Sequence, residues 1–165
     1  MTVDHDQVVA YIPNLRRYAR ALVNDAEAAD DLVQDTLERA VRKFALWRPG
    51  NLRAWLFSIM HNVFVNQLKS RKIRFDEELD ENLPAYIPSV TNDDVADLQR
   101  AIMQLSPGQR EVVLLIALED LTYNDVAKML GIPVGTVMSR LSRGRERLRE
   151  LLDGEPSRSP LKVVR

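Results

Sequence analysis

The stretch GTVMSRLSRGRERLRELL, residues 135–152, holds five arginines in a chain of 165 residues whose formal charge is only −1. Wound at about 100° per residue, it sorts into two stripes. Val137, Leu141, Leu148 and Leu152 fall on one side, with Gly144 in their midst, where a missing side chain lets a second helix come close. Thr136, Arg140, Arg143 and Arg147 share a neighbouring stripe roughly 60° wide. The pattern predicts a helix that packs by one face and offers arginines by another. The plain alternative is a solvated surface helix with charge pairs such as Glu146 and Arg149, and what precedes the stretch decides between them.

Two capped helical segments precede it. Ser106-Pro107-Gly108-Gln109 combines an N-cap serine, a proline at the first helical position and a capping-box glutamine. Thr122-Tyr123-Asn124-Asp125 repeats the capping signal ahead of Val126, Ala127, Met129 and Leu130, and Gly131 can close that helix in the left-handed conformation. Ile132 and Pro133 then lead directly into the arginine helix. A short helix, a tight turn and a second helix with one-sided arginines make a helix-turn-helix. In that motif the second helix enters the major groove and its N-terminal residues meet base edges. Arginine suits the task because its fork bonds both acceptors of guanine, while Thr136 and Ser139 are short enough to bond phosphates near the helix start. A plain helical bundle accounts for the apolar stripe but not for the one-sided arginines.

Composition sets the frame. The chain is long enough for one compact domain or two small ones, and its 45% apolar content is that of a globular protein. It has no cysteine, so disulfides and thiolate zinc sites are excluded. The longest apolar run, Val112 to Leu118, is far short of a membrane span, and the acidic start MTVDHDQVV is unlike a secretory signal. A cytoplasmic protein without membrane insertion is expected. The near-zero charge hides an asymmetry: residues 75–98 carry eight acids and no base, leaving +7 for the rest. A basic body around an acidic connector fits a nucleic-acid partner.

Helical periodicity dominates upstream. Leu15, Tyr18, Ala19 and Leu22 form one pattern, with Pro13 marking a start or a kink. Asn24 and Asp25 supply N-cap chemistry for a helix with Leu32, Val33, Leu37, Ala40, Val41 and Phe44 at helical spacing. Trp47-Arg48-Pro49-Gly50-Asn51 reads as a loop, and Asn51 can cap a third helix reaching about Arg71. On that helix Trp55, Ser58, Asn62, Asn66 and Lys69 form one narrow stripe, opposite Leu52, Leu56, Ile59, Met60, Val63 and Phe64. An aromatic, amides and a lysine so aligned can stack on, hydrogen-bond to and neutralise one nucleic-acid strand, with Lys69, Arg71, Lys72 and Arg74 holding phosphates. The alternative keeps Trp55 as core and the basic residues as complements of the helix C-terminus. The fold expected is all-α: two small helical domains, at residues 1–73 and 95–152, joined by a flexible acidic linker at 74–94 and followed by a flexible tail at 153–165.

LSPGQREVVLL, LTYNDVAKMLGIPVGTVMSRLSRGRERLR and the spacing of Ala127, Gly131 and Val137 strongly resemble the C-terminal DNA-binding domain of bacterial RNA polymerase sigma factors, nearest the extracytoplasmic-function group. NDAEAADDLVQDTLERAV and LRAWLFSIMHNVFVNQLKSRK are similar to the polymerase-binding and −10 helices of the same family. The resemblance implies that Pro133, Thr136, Ser139, Arg140, Arg143 and Arg147 meet the −35 element. It implies that Trp47, Arg48 and Asn51 help form a pocket for an extruded base ahead of the −10 stripe of Trp55, Ser58, Asn62, Asn66, Lys69, Arg71 and Lys72. Asp30, Asp31, Gln34, Asp35 and Glu38 would then dock on the β′ clamp helices of core RNA polymerase, with a further contact to the β flap. Many family members carry a basic residue where this chain has Met138. The family also implies promoter DNA and an anti-sigma factor as partners, no cofactor, no metal, and a monomer when free. Two other readings remain: a sigma-like mimic that captures an anti-sigma factor, and an ordinary helix-turn-helix regulator, which leaves the N-terminal stripe without a task. An enzyme fits poorly, because His5 and His61 are the only histidines and neither a P-loop nor metal spacing is present. His61 is expected to be packed or to face the polymerase.

Overall fold

A computed structural model describes residues 5–46, 50–78 and 93–153, and among these there are helices and no strands. The first bundle consists of α1 (His5–Ala10), α2 (Ile12–Val23), α3 (Ala26–Lys43), a single 3-10 turn (Phe44–Leu46) and α4 (Leu52–Glu78). The second consists of α5 (Asp93–Met103), α6 (Pro107–Ala117), α7 (Tyr123–Leu130) and α8 (Val134–Leu152).

The helix boundaries follow local chemistry. Pro13 stands in the first turn of α2, where its missing N–H is not needed. Asn24 closes α2 in the left-handed conformation with φ 51°, so of the expected capping pair only Asp25 begins α3, its carboxylate accepting from Glu27 N at 3.3 Å. Asn51 Oδ1 accepts from Ala54 N at 3.0 Å and starts α4. Ser106 and Thr122 cap α6 and α7 through Gln109 N and Asp125 N, and Gly131 ends α7 at φ 68°. Two details differ from expectation. The helix α1 is too short, with only Val8 buried, to leave a periodic signal. The helix α4 continues to Glu78 rather than ending near Arg71, because the acidic residues after Arg74 contain no glycine or proline to stop it.

One apolar cluster runs through both bundles. Leu15, Tyr18, Leu22, Leu32, Leu56, Phe57 and Met60 are buried in the first, with Tyr18 meeting Phe57 edge to face at 5.1 Å. Val112, Leu115, Val126, Val137 and Leu141 are buried in the second. Gly144 lies where the arginine helix crosses α6: a Cβ there would stand 2.7 Å from Val113 Cγ2. The two bundles pack on each other, α2 against α5 and α6, and α4 against α7. No described helix is long and apolar enough to cross a membrane.

Candidate nucleic-acid interface

The helix-turn-helix is α7, the turn at Gly131 and α8. Pro133 is the N-cap of α8, and its carbonyl accepts from Thr136 N at 3.0 Å and Val137 N at 3.1 Å. Since Val137, Leu141 and Gly144 are buried, the direction opposite them is the open face of the helix. Gly135, Ser139 and Ser142 occupy it with Arg143 beside them, and all are exposed; Met138 is exposed on the flank. Ser139 Oγ donates to Gly135 O at 3.2 Å and Thr136 O at 3.4 Å, so reaching a phosphate would require its hydroxyl to turn.

The arginine stripe divides into three. Arg143 is exposed. Arg147 pairs with Glu150 at 3.5 Å, a weak, solvated contact. Arg140 is half-buried and lies across the start of α6, where a Cβ on Gly108 would meet its guanidinium at 3.2 Å. Thr136 is half-buried beside it. Ser142, on the open face, is exposed and carries no charge, so a pattern of arginines alone does not mark it.

The stripe on α4 is divided differently. Trp55 is half-buried and its ring is stacked parallel to Phe44, centroids 6.1 Å apart. Ser58 Oγ donates to Trp55 O at 2.7 Å. Both therefore take part in packing. Asn62, Asn66 and Lys69 are exposed along the same side, and Arg71 is exposed around the helix from them, toward α3. Asn51 is exposed, but its side chain is engaged twice, through the cap and through Nδ2 to Asp125 Oδ2 at 3.5 Å. Trp47, Arg48 and the side chains of Lys72 and Arg74 lie outside the described residues. On α3, Asp30, Asp31, Gln34, Asp35 and Glu38 are all exposed. Asp31 and Asp35 line one wall of a groove whose other wall carries Asn66, Gln67 and Arg71 of α4.

Residues 8–61 match the family model "Sigma2 domain of PhyR", and residues 96–148 match "Sigma-70, region 4". The sequence is 35% identical, over 97% of this chain and 92% of the relative, to the ECF RNA polymerase sigma factor EcfG of Rhodopseudomonas palustris. The chain belongs to the extracytoplasmic-function RNA polymerase sigma factors. It is 36% identical to SigE of Mycolicibacterium smegmatis over 82% of its length, spanning 56% of that relative. The fold is similar to that of the sigma factor RpoE of Bartonella quintana, solved in complex with the anti-sigma factor NepR. That similarity has a TM-score of 0.80 and 34% identity, covering 92% of this chain and 97% of that one.

His61 does not face outward. Its Nδ1 lies 2.6 Å from Glu111 Oε2, joining the first bundle to the second. Three charged residues of the second bundle, Arg110, Glu111 and Glu119, are likewise buried at this junction. Burial, then the Glu111 and Glu119 carboxylates, push the Tyr18 phenol well above its ordinary range, with Arg110 opposing. Burial also lowers Arg110 from its usual value, against the pull of Glu111.

Proposed function

We propose that this sigma factor binds core RNA polymerase and directs promoter-specific initiation in the cytoplasm, α8 reading the −35 element and α4 holding the melted −10 strand. The observation that carries the reading is the open, arginine-edged face of α8 within a helix-turn-helix, in a chain related to sigma factors along both bundles. Arg143 is the best placed of the arginines for a bidentate base contact. Pro133, Thr136 and Ser139 line the helix start, where phosphates are held, and Arg140 and Arg147 add positive charge on the flank.

On α4, Asn62 and Asn66 offer edge-bonding groups, with Lys69 and Arg71 beyond them for phosphates. Flipping a base out of the stack costs a few kcal/mol, and a protein surface that bonds the freed base offsets that cost without nucleotide hydrolysis. Asp30, Asp31, Gln34, Asp35 and Glu38 form the polymerase-docking face, where carboxylates can take bidentate arginine partners. An anti-sigma factor is the expected inhibitor. The cleft between the bundles, with Arg16, Arg17 and Arg20 on one side and Val95 and Leu98 on the other, suits an acidic amphipathic segment.

The test is reconstitution with core polymerase on genomic DNA, with start sites mapped. Transcripts from a shared promoter class support the reading; none beyond those of core alone refutes it. A double Asp31→Lys/Asp35→Lys variant should lose association with core polymerase by about tenfold or more while circular dichroism stays unchanged. A second reading, a sigma-like mimic that captures an anti-sigma factor, draws on the match of residues 8–61 to the PhyR domain model. A mimic would bind the inhibitor and leave no start sites.

A further inference from the structure

Two apolar residues one turn apart on α8 are treated differently. Val134 is half-buried and packs against the core, whereas Met138 is 51% exposed. The inward side of the helix is already filled by Val137 and Leu141. A single exposed apolar side chain is ordinary on a protein surface. What sets Met138 apart is its place, in the second turn of the second helix of a helix-turn-helix, the part that meets base edges.

Met138 also lies on the flank of the open face away from the arginines. At about 100° per residue, Gly135 and Ser142 stand beside it, while Thr136, Arg140, Arg143 and Arg147 stand on the other flank. Between Val134 and Gly144 the charged residues are Arg140 and Arg143, so the Met138 flank carries no charge over that span. Gly135 keeps the approach open, since a Cβ there would meet nothing within 4 Å. The major groove is about 12 Å wide and a helix with its side chains about 10–12 Å across. Both flanks of an inserted α8 therefore lie against the groove.

The chemistry of the two flanks differs. Arg143 donates hydrogen bonds and so answers the acceptors of guanine. A thioether has no donor and is only a weak acceptor. Set over guanine, adenine or cytosine, it would cover polar groups and leave them unpaired, which is costly. Thymine alone presents a methyl group in the major groove, and an unbranched, flexible methionine adapts its shape to such a partner.

We propose that Met138 is a specificity-determining residue of α8, reading the C5-methyl group of a thymine in the −35 element while Arg143 reads a base toward the other side of the groove. This assignment rests on the −35 role proposed for α8. Met138 and Arg143 are about 7.5 Å apart along the helix axis. At about 3.4 Å per step of the duplex, the thymine should lie within about three base pairs of the base read by Arg143.

The test removes one methyl group from the DNA and one thioether from the protein. Core polymerase carrying the full chain would select −35 sequences from a promoter of the start-site map with that element randomised. Each thymine of the selected element, on either strand, would then be replaced by deoxyuridine, which lacks only the C5 methyl. Parent, Met138→Ala and Met138→Leu chains would be titrated on these duplexes. For the parent, one replacement should cost about fourfold in affinity, the worth of one buried methyl group. Met138→Ala should bind the thymine duplex more weakly and respond to the same replacement by less than about 1.5-fold, the coupling expected of a direct contact. Met138→Leu, still apolar, should keep the response. A selected element without thymine overturns the proposal. So does an equal deoxyuridine loss in parent and Met138→Ala, whether that variant weakens every duplex alike or loses affinity for core polymerase. In those cases selection has succeeded and α8 still reads DNA. A parent chain that selects no −35 sequence is a different result, which removes the reading of α8 and this assignment with it.

Discussion

The helices α4 and α8 each display a stripe of polar residues beside an apolar face, yet the structure treats the two stripes differently. On α8 the buried side is narrow and continuous, Val137, Leu141 and Gly144, and the side opposite is exposed. On α4 the stripe is partly used up at its N-terminal end. Trp55 stacks on Phe44, Ser58 bonds back to its own helix, and Asn51 caps the helix while reaching Asp125. Only from Asn62 onward is the α4 stripe open. Helical spacing tells which residues share a side. Whether that side is free depends on what the rest of the chain brings to it.

The largest effect expected from this contrast is at Trp55. If its ring is packing, Trp55→Ala should lower stability by about 3 kcal/mol, the low end for a buried tryptophan because this one is half-exposed. Urea denaturation reads this directly, and an unchanged midpoint with lost nucleic-acid binding would return Trp55 to the recognition stripe. Gly144 comes next. Alanine there gains about 1 kcal/mol of helix propensity, but its Cβ would press on Val113, a β-branched side chain with little rotamer freedom. Overpacking costs about 1–3 kcal/mol, so Gly144→Ala should destabilise by about 1 kcal/mol net in the same experiment. A gain in stability would mean that the crossing of α6 and α8 can relax. The smallest effect belongs to Ser58→Ala, within about 0.5 kcal/mol for stability and without effect on single-strand binding.

Much of this was legible in local signals. The caps at Asn51, Ser106 and Thr122, the left-handed Gly131 and the close approach at Gly144 are all short-range facts that composition and spacing carry. On α8 the spacing placed Val137, Leu141 and Gly144 correctly on the packed side, but Leu152 is exposed at the helix end and Arg140 is half-buried against α6. The junction between the bundles was not legible. Arg17 and Glu119 are 102 residues apart, and no periodicity links an exposed-looking arginine on α2 to a glutamate after α6. The one hint was in α6 itself, where Arg110 and Glu111 interrupt an otherwise apolar helix. His61 was expected to be packed or polymerase-facing, and its partner, Glu111, lies beyond any local window.

The two open faces are expected to serve different nucleic-acid tasks, and a double dissociation tests that most directly. Parent, Arg143→Ala and Asn62→Ala/Asn66→Ala chains would be assembled with core polymerase and titrated on a promoter, with binding to a −35 duplex and permanganate reactivity of the −10 strand read in parallel. Arg143→Ala should lose about 1–3 kcal/mol on the duplex and relax preference at one base pair. The asparagine pair should spare duplex binding and lower −10 reactivity, at about 1 kcal/mol for each hydrogen bond lost. Equal losses in both readouts for both variants would contradict the division of labour between α8 and α4.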